Sequence, residues 1–194
     1  RTDFMGGAKY KIQVFYLYVS TILGSFLGFA TSIVNTNFLS DADYGDVRYV
    51  QNLITLLASL LLFGYFLSGS RLLALSTNRG YSSRVRGAMV VVLAICSLIL
   101  IALTSISAFL HRDSGTMSLF LVSLPVCMYP LFTNYINTTA QGDNHIGRLA
   151  ISRVLPALLY VPIAYFLYSR ITVTSSMMVL LQWGMYCAVL LVII

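Results

Sequence analysis

Apolar residues in this chain come in long blocks separated by short polar breaks, and no stretch alternates residue by residue. The blocks run from Ile12 to Leu39, Val47 to Leu75, Val85 to Leu110, Met117 to Ala140, Leu149 to Tyr168, and Val173 to the end. Each reaches the roughly 20 residues that a helix needs to cross the hydrocarbon core of a bilayer. Barrel strands would alternate over about ten residues. The pattern therefore predicts an all-α polytopic membrane protein with six transmembrane helices. The breaks are short, so neighbouring spans are expected to pack antiparallel. The first block is far longer than the apolar core of a cleaved signal peptide, and a second follows at once. Between them lies an acidic turn, Asp41, Asp43, Gly45 and Asp46.

Composition supports this reading. Of 194 residues, 58% are hydrophobic and 9% charged, against about 25% charged in soluble domains. The net charge of +6 comes from twelve Lys and Arg against six Asp, with no Glu. These cations form no patch or stripe of the kind that binds nucleic acid. They sort instead by side of the membrane. With the N-terminus cytoplasmic, Arg1, Lys9, Lys11, Arg71, Arg79, Arg84, Arg86, Arg148 and Arg153 fall inside, and Arg48, Arg112 and Arg170 outside. Nine against three follows the positive-inside rule. The acidic turn is then external and the loop STNRGYSSRVRG cytoplasmic. The chain starts at Arg1 and stops at Ile194 within an apolar run, so it is expected to be truncated inside its sixth span.

The first span carries Ser20, Gly24, Gly28 and Ser32 four residues apart. Such a stripe lets another helix approach closely, either within the bundle or from a second copy. On the first account Gly28→Leu lowers the amount of folded protein. Pro125 and Pro130 in the fourth span, and Pro156 and Pro162 in the fifth, predict kinks. Tyr10, Tyr16, Tyr44, Tyr49, Tyr81 and Tyr168 lie near predicted helix ends, as interfacial belts require. Cys96, Cys127 and Cys187 all lie in apolar runs at spacings that fit no metal motif, so they read as buried small hydrophobes.

Enzyme signatures are missing. No Asp falls inside an apolar run, and His111 and His145 sit in loops beside an Asp. Without paired carboxylates, or a nucleophile with a neighbouring base, no acid–base or covalent mechanism is legible, and no cofactor motif appears. What remains is uncharged polar groups and arginine within the spans. Asn35, Thr36 and Asn37 end the first. Thr133, Asn134, Asn137, Thr138, Thr139 and Gln141 end the fourth, and Gln182 lies in the sixth. Amides in hydrocarbon must find partners, so they either join helices or line a wet lumen. Arg71 and Arg153 stand about one turn inside the second and fifth spans. Either they snorkel to the headgroups, or they form a cationic vestibule whose forked guanidinium groups suit phosphate.

The opening hairpin FLSDADYGDVRYVQNLITLLASLLLFGYFLSGSRLLAL resembles the start of the polysaccharide-transporter branch of the multidrug/oligosaccharidyl-lipid/polysaccharide exporter superfamily. Leu39 through Tyr44-Gly45 matches its first external loop. Gly64, Gly69 and Arg71 match the segment after its second helix, and Gln141-Gly142 in AQGDNHIGRLAISRVL matches the approach to its fifth. The resemblance implies a protein of two six-helix lobes around a central cavity, of which this chain is the N-terminal one. Such Wzx-type flippases move undecaprenyl-pyrophosphate-linked oligosaccharides from the cytoplasmic to the periplasmic leaflet of the bacterial inner membrane by alternating access. Relatives include the lipid II flippase and cation-coupled drug exporters. The partners implied are the lipid-linked oligosaccharide, membrane lipids and the C-terminal lobe. Arg71 and Arg153 would then attract the pyrophosphate, and Asn35, Asn37, Asn134 and Asn137 would line the path of the sugar. Two rivals remain open: a cation-coupled small-molecule exporter of the same fold, and a non-transporting membrane scaffold subunit. The orientation has a direct test. A cysteine replacing Ser114 is expected to react with an impermeant thiol reagent added outside spheroplasts, and one replacing Ser82 is not; the opposite pattern overturns the assignment.

Overall fold

The computed structural model describes residues 3–75, 79–112, 115–143 and 145–193, and for residues 3–11, 13, 14 and 79 the backbone alone. Arg1 and Ser114 lie outside the described residues, as do the side chains of Lys9, Lys11 and Arg79. The described chain is helical and contains no strand: α1 (Asp3–Phe38), α2 (Asp41–Leu62), α3 (Tyr65–Leu75), α4 (Arg79–Leu110), α5 (Met117–Ser123), α6 (Tyr129–Gly142), α7 (Ile146–Tyr168) and α8 (Ser175–Ile193), with a short 3-10 turn at Leu124–Val126. Five segments are long and apolar enough to cross a membrane, and six if the bent pair α2–α3 counts as one span. The protein is thus an all-α polytopic membrane protein.

The acidic segment after the first span is not a loop. Ser40, with an extended backbone, caps α2 by accepting a hydrogen bond from the Asp43 backbone N–H. Asp41 and Asp43 then fall in the first helical turn, where carboxylates complement the positive end of the helix dipole. Asp43 also accepts from the hydroxyl of Ser175, which ties this corner to the start of α8.

The second span breaks where no proline stands. Phe63 and Gly64 both adopt positive φ, 38° and 70°, and α3 leaves α2 at 53°. Glycine tolerates this conformation; phenylalanine does so only with strain. Phe63 is 92% exposed, on the outside of the bundle. The proline-bearing spans behave differently. Pro125 lies in the first positions of the 3-10 turn and Pro130 in those of α6, where a missing N–H deprives no helical carbonyl. Pro156 and Pro162 sit within an uninterrupted α7.

From the second span on, successive spans pack as neighbours, α2 and α3 on α4, α4 on α5, α6 on α7 and α7 on α8, but the first hairpin is open. The first helix pairs mainly with α7 and meets α2 only slightly. Gly24 lies beside Arg153, Asn35 bonds Tyr160, and Phe38 packs edge-on against Tyr165 and Tyr168. Residue numbers rise together along both helices, so α1 and α7 run parallel. The main core gathers α2 to α6 and α8 around Val50, Ile54, Met89, Leu100, Phe120, Leu131 and Met178. A smaller one, Val34 with Tyr160, Ala164 and Tyr168, fastens α1 to α7.

The small-residue stripe of α1 is divided between neighbours. Ser20 is buried, and a Cβ on Gly24 would stand 3.7 Å from the Arg153 carbonyl oxygen, an ordinary contact. Gly28 has nothing within 4 Å, so it packs against no helix here. The closest approach is elsewhere. A Cβ on Gly142 would lie 2.8 Å from the carbonyl oxygen of Ser70 and 2.9 Å from Leu73 Cβ, which seats α3 on the end of α6. Gly142→Ala is therefore expected to cost about 1–3 kcal/mol, the usual price of overpacking, seen as a lower melting temperature in detergent. Gly28→Ala should melt as wild type; a drop equal to that of Gly142→Ala would contradict this packing.

Candidate functional site

The first helix has three faces. One is buried against α7 and α8 through Ser20, Thr31, Val34 and Asn35. A second exposes Phe15, Ile22, Phe26, Phe29 and Ile33, a lipid-facing set. The third carries Thr21, Ser25, Gly28, Ser32 and Thr36, small or polar and open or half-open. On α2, Arg48, Asn52, Thr55 and Ser59 recur at the same helical spacing and are likewise not buried. On α6 the corresponding set is Asn134, Asn137, Thr138 and Gln141. Three spanning helices therefore each keep one polar strip away from the core, where lipid would be a poor cover.

Hydroxyls on these strips satisfy themselves locally. Thr21 donates to Leu17 O, Ser25 to Thr21 O, Ser32 to Gly28 O, Thr55 to Gln51 O and Ser59 to Thr55 O. Each retains acceptor capacity, and two of them use it for arginine. Arg153 Nη1 donates to Thr21 Oγ1 at 2.9 Å, and Arg48 Nη2 to Ser32 Oγ at 3.0 Å. Thr21 and Ser32 are three turns apart on α1, roughly 16 Å at 1.5 Å per residue. Among the described residues the one ion pair is Arg86–Asp143, at 2.8 Å. Both α1-bound arginines thus keep an uncompensated charge at a polar strip.

Arg153 lines a cleft of about 350 Å³ between α1, α6, α7 and α8. Around it stand Thr21, Ser25, Thr133, Asn137, Ser152 and Tyr186. Pro156 lines it too, and its missing N–H leaves the carbonyl of Ser152 without a helical donor. The cleft therefore offers a cation, hydroxyls and an amide, a set suited to an anionic, hydroxyl-rich ligand.

Arg48 sits above a second polar system. Its Nε donates to the Tyr44 hydroxyl at 2.8 Å, the guanidinium lies over the Tyr44 ring at 5.1 Å, and Nη1 reaches Gln51 Oε1 at 3.5 Å. Behind it the bonds continue into the core. Gln182 Oε1 accepts from Gln51 Nε2 at 3.3 Å and from Asn35 Nδ2 at 3.5 Å. Asn35 Oδ1 accepts from the Tyr160 hydroxyl at 2.7 Å. Since that proton is committed, Tyr168 must donate to Tyr160 across their 3.1 Å contact. The Tyr186 ring packs on Tyr160 and also lines the Arg153 cleft, so the two systems adjoin.

The six residues picked from the sequence are dispersed by the fold. Arg153 and Asn137 share the cleft. Asn35 is fully buried in the amide chain. Asn134 is exposed and donates to Pro130 O on its own helix, and Asn37 is exposed at the end of α1. Arg71 is exposed on α3, a helix that contributes nothing to the cleft. From the sequence, Arg48 reads only as a charge on the outer side. Its local signal is the spacing in α2, four residues after Tyr44 and three before Gln51, which places the three on one helical face.

A profile of the family described as polysaccharide biosynthesis protein matches residues 12–194. Neither the curated proteins nor the solved structures yield a match to the chain.

The direction of the tyrosine–amide chain can be tested by thermal melting in detergent. Tyr160→Phe removes a donor and an acceptor from the middle of it and should cost about 1–3 kcal/mol, the penalty for stranding buried polar groups. Tyr168→Phe removes only the terminal donor and should cost less. Equal melting of both variants would contradict the chain.

Proposed function

Because the chain belongs to the polysaccharide biosynthesis protein family, we propose that it flips undecaprenyl-pyrophosphate-linked oligosaccharide across the bacterial inner membrane. It is a multi-pass membrane protein of transporter rather than enzyme type, serving surface polysaccharide synthesis such as that of O-antigen. Its spans form the N-terminal lobe of a two-lobe transporter, with the N-terminus cytoplasmic. The polar strips on α1, α2 and α6 support a partner lobe, since polar faces at membrane depth call for a wet cavity or another polar surface. Alternating access then arises from rocking of the lobes about the enclosed site.

The observation that carries the reading is Arg153, set in the cleft beside hydroxyls and an amide, with no carboxylate partner among the described residues. One of its donors is occupied by Thr21, and others remain for the two oxygens that a guanidinium fork can hold at once. Asn137, Thr133 and Ser25 supply donors and acceptors for sugar hydroxyls. Arg48, three turns along α1 from the Thr21 contact, offers a second cationic station for the pyrophosphate on its way across. Asn35 supports the wall of the site from behind rather than touching the ligand. Arg71, exposed on α3, serves at most as an interfacial cation.

Surface-polysaccharide display in a strain lacking its flippase, with protein level checked by blot, tests this assignment. Arg153→Ala should reduce display roughly thirty-fold, the equivalent of about 2 kcal/mol for a lost charge-assisted hydrogen bond. Arg153→Lys should recover only part of it, because a point charge lacks the fork. Arg71→Lys should display fully. Full display by Arg153→Ala at equal abundance would remove the cleft from the transport path.

A further inference from the structure

Two hollows lie against the seam between α1 and α7. One is the polar cleft with Arg153. The other is a groove of about 280 Å³, walled by Tyr16, Val19 and Leu23 of α1 and by Ile151, Leu155 and Leu158 of α7. Ser20 borders both. Its hydroxyl is spent on Leu17 O at 2.9 Å, so the groove meets hydrocarbon without a stranded donor. The two helices run parallel, and the hollows draw on the same stretches, residues 16–25 of α1 and 150–158 of α7. They therefore lie at one depth in the membrane. Ser20 is the residue the two hollows share, and beside it α1 meets α7 at a glycine, Gly24, whose Cβ would stand 3.7 Å from the Arg153 carbonyl oxygen.

A compartment for an anion thus backs onto a compartment for hydrocarbon. We propose that the groove takes the first isoprene units of a prenyl chain whose pyrophosphate is held by Arg153 in the cleft, the chain passing between α1 and α7 at Ser20. This rests on the transport reading above and adds to it the seat of the lipid tail. The chemistry favours a prenyl pyrophosphate over a phospholipid. In the former the hydrocarbon is joined directly to the charged group. In the latter a glycerol diester intervenes and holds two chains away from the phosphate. A boundary marked by the single small residue Ser20 matches the direct linkage, and a single groove matches a single chain.

The test uses the full-length protein in native membranes, with a photoreactive benzoylphenylalanine replacing Ile151 in the groove or, as a control, Leu98, which is exposed on α4. The probes are radiolabelled undecaprenyl pyrophosphate and radiolabelled phosphatidylglycerol. Both positions are exposed, so neither substitution threatens the fold. The prenyl probe is expected to label the Ile151 position several-fold more than the Leu98 position, and Arg153→Ala to abolish that excess. Phosphatidylglycerol should label the two positions alike. Equal labelling of both positions by the prenyl probe would overturn the groove, as would an equal groove preference for phosphatidylglycerol. Polysaccharide display by the same protein separates the two readings. If display remains sensitive to Arg153→Ala while the groove shows no preference, the tail seat is wrong and the transport reading stands. If display ignores Arg153→Ala and the probe labels neither position above background, the transport reading falls with it.

Discussion

Gln182 of α8 receives hydrogen bonds from two amides that would otherwise have no common partner, Asn35 of α1 and Gln51 of α2. Each is buried at a depth where water cannot take the place of a lost bond. An unpaired amide there costs far more than a paired one gains, so the three helices must meet at this point or leave polar groups stranded. Tyr160 extends the obligation to α7 by committing its proton to Asn35. Much of the bundle's geometry depends on this junction. It holds the outer part of α1 between α7 and α8, and it holds Gln51 where its carbonyl oxygen can face Arg48.

From that junction the polar strips open outward. Hydroxyls along α1 and α2 close their own donors onto backbone carbonyls one turn back, so these surfaces carry little desolvation cost and still accept hydrogen bonds. Thr21 and Ser32 then hold the guanidinium groups of Arg153 and Arg48 without neutralising them. A carboxylate in either place would have stabilised the charge and silenced it toward a ligand. Neutral tethering keeps an arginine oriented and available, which is the condition an anion-carrying site must meet.

The bend after α2 and the parallel pairing of α1 with α7 act together on the shape of this surface. Phe63 and Gly64 turn the second span away, while Gly142 admits α3 against α6. Meanwhile α1 leans on α7 and leaves α2 except near the corner capped by Ser40. A tight antiparallel hairpin would have buried Thr21, Ser25 and Arg48 between the first two spans. The splayed one keeps them at an open face, and it places the seam of α1 and α7 between a polar compartment and an apolar one.

The helical, membrane-spanning class followed from the sequence, because hydropathy and span length answer to the bilayer rather than to any particular neighbour. So did the importance of arginine and amide side chains at depth, since their cost there is a property of the residue. Which of them share a site was settled only by packing. Arg153 and Asn137 lie on consecutive helices, α7 and α6, but the cleft they share is completed by Thr21 and Ser25 of α1, which packs along α7 from far away in the chain. Asn35 became buried because Gln182, 147 residues away, lies opposite it. The prolines marked backbone positions without telling which would bend, for a missing N–H costs little at a helix start and can be absorbed within a continuous helix such as α7. The break fell instead at Phe63–Gly64, where two positive φ angles are tolerated by one glycine and by tertiary contacts that seat the helix beyond it. Local pattern decided what each segment is; long-range contact between segments decided which side chains face one another.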